Sequence, residues 1–542
     1  MVPLDRSSME PTRITDLSAV ELARETTSGR LSATAVVEAF LAQVDKVNPG
    51  LNAIAIPLFE EARARAKELD EAFTRGDVPG PLHGVPITIK EQFRVAGTQI
   101  TLGAKNKIGN VYNTEGPLVR KLREAGAVIL GKTNVLQTLS GWETDNRVYG
   151  RTNNPWDHAR SPGGSSGGDS AIIAARGAPL ALAADFGGSI RIPAHFCGLH
   201  GLKPTSGRLT SDDFPPGLMS VNHGQEVVVQ QPGPIAGTVA DLTLAMRLLT
   251  ETSSEEITRD VVAPTVWPDP AAVQIKGMRI GMYVENGHFP VSPAIRRAIL
   301  EAADALRSMG ATVEPIVPPD AREAIRIFIG ATSAGGGKFF KTLLGDEEPI
   351  PQVADLLRGI WTKPALLRVA AWLQDMKGQG HQAYAMRCLG TRSVAEYWSL
   401  ADARTDFRQK FLQSLDDGHF DAVICPPFAL PAIPHNTCQH LLPSAGYAIV
   451  YNVIGAPAGV VSLTNVRPDE ESDRVVSRDL ADITASAVEQ GSAGLPVGVQ
   501  VVARHWREDI VLAVMSALED HFRSKPDYPT IPENSLADQP VA

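Results

Sequence analysis

Cysteine is scarce in this chain of 542 residues. The four present, Cys197, Cys388, Cys425 and Cys438, are too few and too scattered for a disulfide framework and show no paired zinc spacing. That usage fits a reducing compartment, so a cytoplasmic location is expected. Basic charge is also in deficit, with 51 Lys and Arg against 61 Asp and Glu and a formal net charge of −10. A protein that grips a polyphosphate by charge usually carries a basic surplus, so nucleic acid is not an expected partner. No uninterrupted apolar run reaches about 18 residues, the length needed to cross a bilayer as a helix. Residues 1–28 lack the apolar core of a secretory signal. Aromatic residues make up only 6% of the chain, yet the hydrophobic fraction of 43% is ordinary for a folded protein and excludes a disordered one. The 47 glycines and 40 prolines predict many tight turns and backbone-lined sites.

Helical patterns cover 18–25, 32–47 and 59–73. The second carries Val36, Val37, Phe40, Leu41 and Val44 on one face, with Asn48, Pro49 and Gly50 as its stop. Short apolar runs at 85–90, 127–130, 180–184, 422–425 and 497–502 read as strands. The stretch 278–316 reads as strand, helix, strand, and 508–522 closes the chain with a helix. Alternation of this kind predicts an α/β fold: a single large domain with a central mixed, mostly parallel twisted sheet covered by helices. The domain is placed at 10–525, with a helical cap insertion at 345–400 and a polar tail at 526–542.

The segment 161–205 carries the chemistry. Two serine clusters sit between glycines: Gly163, Gly164, Ser165, Ser166, Gly167, Gly168, and then Gly187, Gly188, Ser189. Glycines let the backbone approach a substrate, and neighbouring N–H groups can converge on one point, as an oxyanion hole requires. Serine is a weak nucleophile at neutral pH and needs a base. His195 and His200 lie nearby but in no recognisable relay. The run 163–167 fits G-x-S-x-G, the nucleophile elbow of α/β-hydrolases, but no strand leads into it. A lysine kept neutral by burial can serve instead, and Lys90 ends an apolar strand. Taken on spacing alone, an ordinary strand-end lysine is the favoured reading. The letters GAVILGKT at 126–133 fit a phosphate-binding loop, but their middle residues form an apolar strand rather than a flexible cradle.

These motifs together resemble the amidase signature family. A GGSSGG turn is followed by a GGSIR turn and then by P-A-x-F-C-G and G-L-K-P-T. Upstream, GVPITIK at 84–90 matches the family's G-[IV]-P-[IV]-x-[IV]-K, and Gly131 to Asn134, Asn154 to Trp156 and GLPVGVQ at 494–500 match as well. The resemblance spans about 15–525. It implies Lys90 as base, Ser165 as a bridging serine in a cis peptide, and Ser189 as nucleophile. It also implies an oxyanion hole from the backbone N–H groups of Phe186, Gly187, Gly188 and Ser189. Neither metal nor cofactor is required. Asp185 and Arg191 are read as hydrogen-bonding groups that hold the turn. Phe186 departs from the family's Thr, Ile or Gly and brings a ring to the pocket. Asp169 departs from a small residue or Glu, and its carboxylate suits a helix start.

The resemblance is nearest to the fatty-acid amide hydrolase-like branch, through the stretch 447–461, and it places Leu139 and Ser140 beside Ser165 in substrate binding. It implies a serine amidohydrolase for small hydrophobic acyl or aryl amides, with ester and carbamate (urethane) substrates open. The alternative is a protein like the amidase-type component of an amidotransferase, using glutamine in a complex, although Ile192 stands where those proteins commonly carry Gln. Residues 353–376 alternate apolar residues, including Trp361 and Trp372, with Arg358, Lys363 and Arg368, break at Pro364, and are followed by Lys377. Amphipathic helices of this kind leave three readings open: a lid, a peripheral membrane contact, or packing against the body or a homodimer partner.

Overall fold

Among the described residues, thirteen strands form from short runs dominated by small and branched apolar residues. In chain order they are β1 (Ile54–Pro57), β2 (Pro86–Lys90), β3 (Thr98–Gln99), β4 (Val111–Tyr112), β5 (Val128–Thr133), β6 (Leu180–Asp185) and β7 (His200–Lys203). There follow β8 (Gln231–Ala236), β9 (Arg279–Met282), β10 (Thr312–Pro315), β11 (Ala422–Cys425), β12 (Ala458–Asn465) and β13 (Pro496–Ala503). The computed structural model describes residues 14–214, 225–251, 262 and 265–530. The tail expected at 526–542 lies outside the described residues from 531 onward.

Eleven strands join in one sheet, in the order β1-β5-β2-β6-β8-β7-β12-β13-β11-β9-β10, while β3 and β4 pair separately. The α/β class and the mixed sheet match expectation, but the parallel majority does not. Only β5–β2, β2–β6, β11–β9 and β9–β10 are parallel. The other six neighbouring pairs are antiparallel. The cause is burial: β2, β5, β6, β8 and β13 are buried at every residue. A strand covered on both faces loses the alternation that usually marks an antiparallel one.

The helices Phe59–Thr74, Pro293–Ser308 and Glu508–Phe522 fall where the sequence puts them. Helix Ala33–Leu51 runs past its expected stop, with Pro49 inside its last turn. Asn48 ends it instead. Its carbonyl accepts the N–H of Asn52, which adopts the left-handed φ of 53°, and its Oδ1 accepts from the N–H groups of Ala53 and Ile54. Helices Pro351–Trp361 and Pro364–Met376 each begin with proline at a position where no N–H is needed, so Pro364 opens a helix as well as separating two. Among the described residues, no helix is long and apolar enough to cross a membrane.

β2 and β6 lie side by side and parallel, ending at Lys90 and Asp185. Crevices form outside the carboxyl ends of such strands. Beyond β6 the chain turns through 186–190 into helix Arg191–Cys197, every residue of which is buried. Asp185 holds that turn. Its Oδ1 accepts from Gly188 N (2.8 Å) and Asn452 Nδ2 (2.8 Å), and its Oδ2 from Ile190 N (3.2 Å) and Arg191 Nε (3.0 Å). Arg191 also donates to Ala448 O, Gln500 Oε1 and Asn452 Oδ1. Burial alone would raise the Asp185 pKa, but the guanidinium and the Asn452 amide hold it well below the usual carboxylate range. Breaking such a buried pair typically costs about 3–5 kcal/mol, because the remaining charge is stranded. Arg191→Met is expected to lose that much stability in urea unfolding, and a loss under about 1 kcal/mol would mean that Asp185 finds another partner.

Candidate active site

Lys90 is fully buried at the end of β2, and its Nζ donates to Ser165 Oγ at 2.9 Å and to Ala184 O at 3.2 Å. Removal from water is the largest influence on this amine and drives its pKa well below the ordinary lysine value of 10.5. The nearby carboxylates of Asp169, Asp185 and Glu91 oppose that shift. None of them is hydrogen-bonded to Nζ. Asp169 Oδ1 instead accepts from Thr133 Oγ1 (2.7 Å) and Thr88 Oγ1 (3.4 Å), and its Oδ2 takes no partner. Burial pushes its carboxyl pKa upward, against those hydroxyl bonds and Lys90. Asp169 lies in the first turn of helix Gly167–Ala174, as its reading as a helix-start residue requires.

Ser165 precedes that helix, and the Gly164–Ser165 peptide is cis. The turn is packed on the backbone of Glu143, which itself bridges two cavity-lining segments. Its carboxylate accepts the N–H groups of Asn436 (2.9 Å), Thr437 (2.8 Å) and Cys438 (2.9 Å). A Cβ added at Gly164 would lie 1.9 Å from Glu143 O. No strand leads into 163–167, because β5 ends at Thr133 and the next strand begins at Leu180.

Ser189 is 5% exposed and opens, with Ser165, onto one cavity of about 440 Å³. Leu139 and Ser140 line the same cavity, as does Phe186, whose ring packs on Phe328 with centroids 5.2 Å apart. The structure thus brings Lys90 to Ser165 and has Ser165 and Ser189 line the same cavity. The hydroxyl-to-hydroxyl bond between the two serines is not formed, and Ser189 Oγ takes no protein partner among the described residues. Active-site bonds of this kind often tighten only with substrate in place. Of the four N–H groups expected for an oxyanion hole, one is already engaged. Among the described residues, the N–H groups of Phe186, Gly187 and Ser189 have no protein acceptor, whereas that of Gly188 is occupied by Asp185 Oδ1. An acidic residue three positions before a glycine in a turn was the signal for that bond.

Sequence reasoning missed Trp142, Gln230, Phe328 and Phe340 as walls of the cavity, whereas Leu356 and Ile360 from helix Pro351–Trp361 and Leu367 from helix Pro364–Met376 line it from the stretch read as a possible lid. The decoys are elsewhere. Lys132 is buried and donates to Gln99 O and Thr98 Oγ1, so GAVILGKT forms strand rather than a phosphate cradle. His195 bonds Leu430 O and the N–H of Gly498, and burial lowers its pKa to about 4.

Residues 35–512 match the protein family described as Amidase. Fatty-acid amide hydrolase 1 of Sus scrofa is 32% identical over 521 residues, covering 92% of this chain and 84% of that protein. An acetamidase of Aspergillus oryzae is 31% identical over 521 residues, covering 93% and 89%. A solved structure of a fatty acid amide hydrolase superposes with a TM-score of 0.83 at 26% identity, over 98% of this chain and 88% of that one.

Gly164→Ala is expected to cost upward of about 3 kcal/mol, since backbone meets backbone at that contact. Gly237→Ala, whose added Cβ meets nothing within 4 Å, is the control and should unfold like the parent. Equal thermal midpoints for the two variants would show that the Gly164 contact relaxes.

Proposed function

The chain belongs to the amidase signature family and is an amidase, acting on carbon–nitrogen bonds, and from that premise we propose a serine amidohydrolase that forms an acyl-enzyme on Ser189 with hydrophobic acyl or aryl amides. The observation that carries this reading is the 2.9 Å bond from a fully buried, unpaired Lys90 to Ser165, on the wall of a largely apolar cavity that also holds Ser189.

In this reading neutral Lys90 takes the Ser165 proton while Ser165 takes that of Ser189. The Ser189 oxygen adds to the amide carbon, and the carbonyl oxygen becomes an oxyanion facing the N–H groups of Phe186, Gly187 and Ser189. The proton held by Lys90 returns through Ser165 to the leaving nitrogen, the C–N bond breaks, and an amine departs. Water then adds to the ester and releases the acid. Esters and carbamates present the same carbonyl and are substrates of the same machinery.

The helices within 345–400 serve as a cap over this cavity. Their inner residues, Leu356, Ile360, Leu367 and Met386, line it. Their outer side exposes Leu366 (60%), Val369 (57%), Trp372 (58%) and Met376 (71%). Apolar access through the cap, with peripheral contact at a membrane interface, suits that outward face.

Ser189→Ala should lower turnover of a long-chain acyl amide and of an anilide by on the order of a millionfold, with folding intact by circular dichroism. Lys90→Ala should harm amides more than activated esters by about 100-fold or more, because only the amine leaving group needs a proton. Retained turnover without the Ser189 hydroxyl, or equal losses on amide and ester, would contradict the relay.

A further inference from the structure

Two adjacent glycines form the turn that would stabilise the oxyanion, and glycine has the greatest backbone freedom of any residue. Such donors contribute only if they are already aimed at the developing charge. Something must therefore hold the peptide between Gly187 and Gly188. Its N–H donates to Asp185 Oδ1 at 2.8 Å, and its carbonyl, Gly187 O, accepts from Trp142 Nε1 at 3.0 Å. One peptide unit is thus held at both of its polar ends. The N–H groups of Gly187 and Ser189 lie in the peptides on either side, so holding this unit fixes the Cα atoms that they share with it and narrows the directions they can take.

We infer that Trp142 is a positioning residue of the oxyanion turn, acting through the indole N–H on Gly187 O. This rests on the reading of Ser189 as nucleophile. Trp142 is itself well placed to be rigid. The next residue, Glu143, ties three backbone N–H groups at 436–438 and packs its backbone on Gly164. A two-residue segment therefore touches both serine turns. The Trp142 ring also lines the cavity, so a bound apolar group presses on the same side chain that fixes the hole. Poor occupants of the cavity would then lose rate as well as affinity.

The test separates the N–H from the ring. Benzothienylalanine at position 142 keeps the ring shape and replaces the N–H by sulfur; Trp142→Phe removes the N–H with a smaller ring. With the isostere, kcat should fall on the order of ten- to a hundredfold while KM stays within about twofold, the pattern of a group that acts only in the transition state. An aldehyde substrate analogue, captured by Ser189 as a hemiacetal, should lose affinity by the same factor. The matching primary alcohol, which fills the cavity without adduct formation, should bind as before. Trp142→Phe should show the same loss in kcat. Unchanged kcat and aldehyde affinity in the isostere would overturn the inference, and so would an equal loss of alcohol affinity, which marks a mere wall. Ser189→Ala is assayed alongside: its inactivity with an unaffected isostere leaves the serine mechanism standing and removes only Trp142, whereas its activity overturns both.

Discussion

A lysine ammonium loses far more by leaving water than a hydroxyl and a carbonyl can return, and the end of β2 imposes that loss on Lys90. Its surroundings contain three carboxylates that could restore the charge, but each is bound elsewhere. Asp185 is paired with Arg191, Glu91 accepts from Thr101 and Leu102, and Asp169 accepts from Thr133 and Thr88. The amine is therefore left with Ser165 Oγ and Ala184 O. Two parallel strands deliver both sides of this arrangement: β2 ends at the amine, and β6 supplies the Ala184 carbonyl and, one residue later, the carboxylate that shapes the Ser189 turn.

The same buried network divides two tasks. Asp185 and Arg191 set the backbone at 186–190, drawing on Asn452 and Gln500 from distant parts of the chain. Trp142 and Glu143 each touch one of the two serine turns, at Gly187 and Gly164. Of these residues only Trp142 also lines the cavity, so it alone joins the turn to the cavity wall. Helices Pro351–Trp361 and Pro364–Met376 add a wall, with Leu367 lining the cavity and Trp372 exposed.

Much of this was legible in the sequence wherever the signal is local. The runs at 422–425 and 508–522 matched their elements to the residue, and the glycine-serine turns marked their own positions. Strand direction was not legible, since strands buried on both faces look alike whichever way they run. The end of helix Ala33–Leu51 lies beyond its expected place because the capping amide of Asn48, and not Pro49, terminates it. Gly188 does not offer a free N–H because Asp185, read correctly as a turn-holding residue, takes it. Trp142 and Phe328 escaped because their positions depend on contacts 45 residues away or more, at Gly187 and Phe186, which no periodicity encodes.

The central claim is that Lys90 is uncharged when it acts. The most direct test is the pH dependence of Ser189 labelling by a fluorophosphonate, which needs no amine leaving group and so reports nucleophile activation alone. The rate should rise with pH through a single inflection well below 10.5, as the neutral amine becomes populated, and should be slow and flat in Lys90→Met. An inflection at or above 10.5, or undiminished labelling in Lys90→Met, would contradict the account.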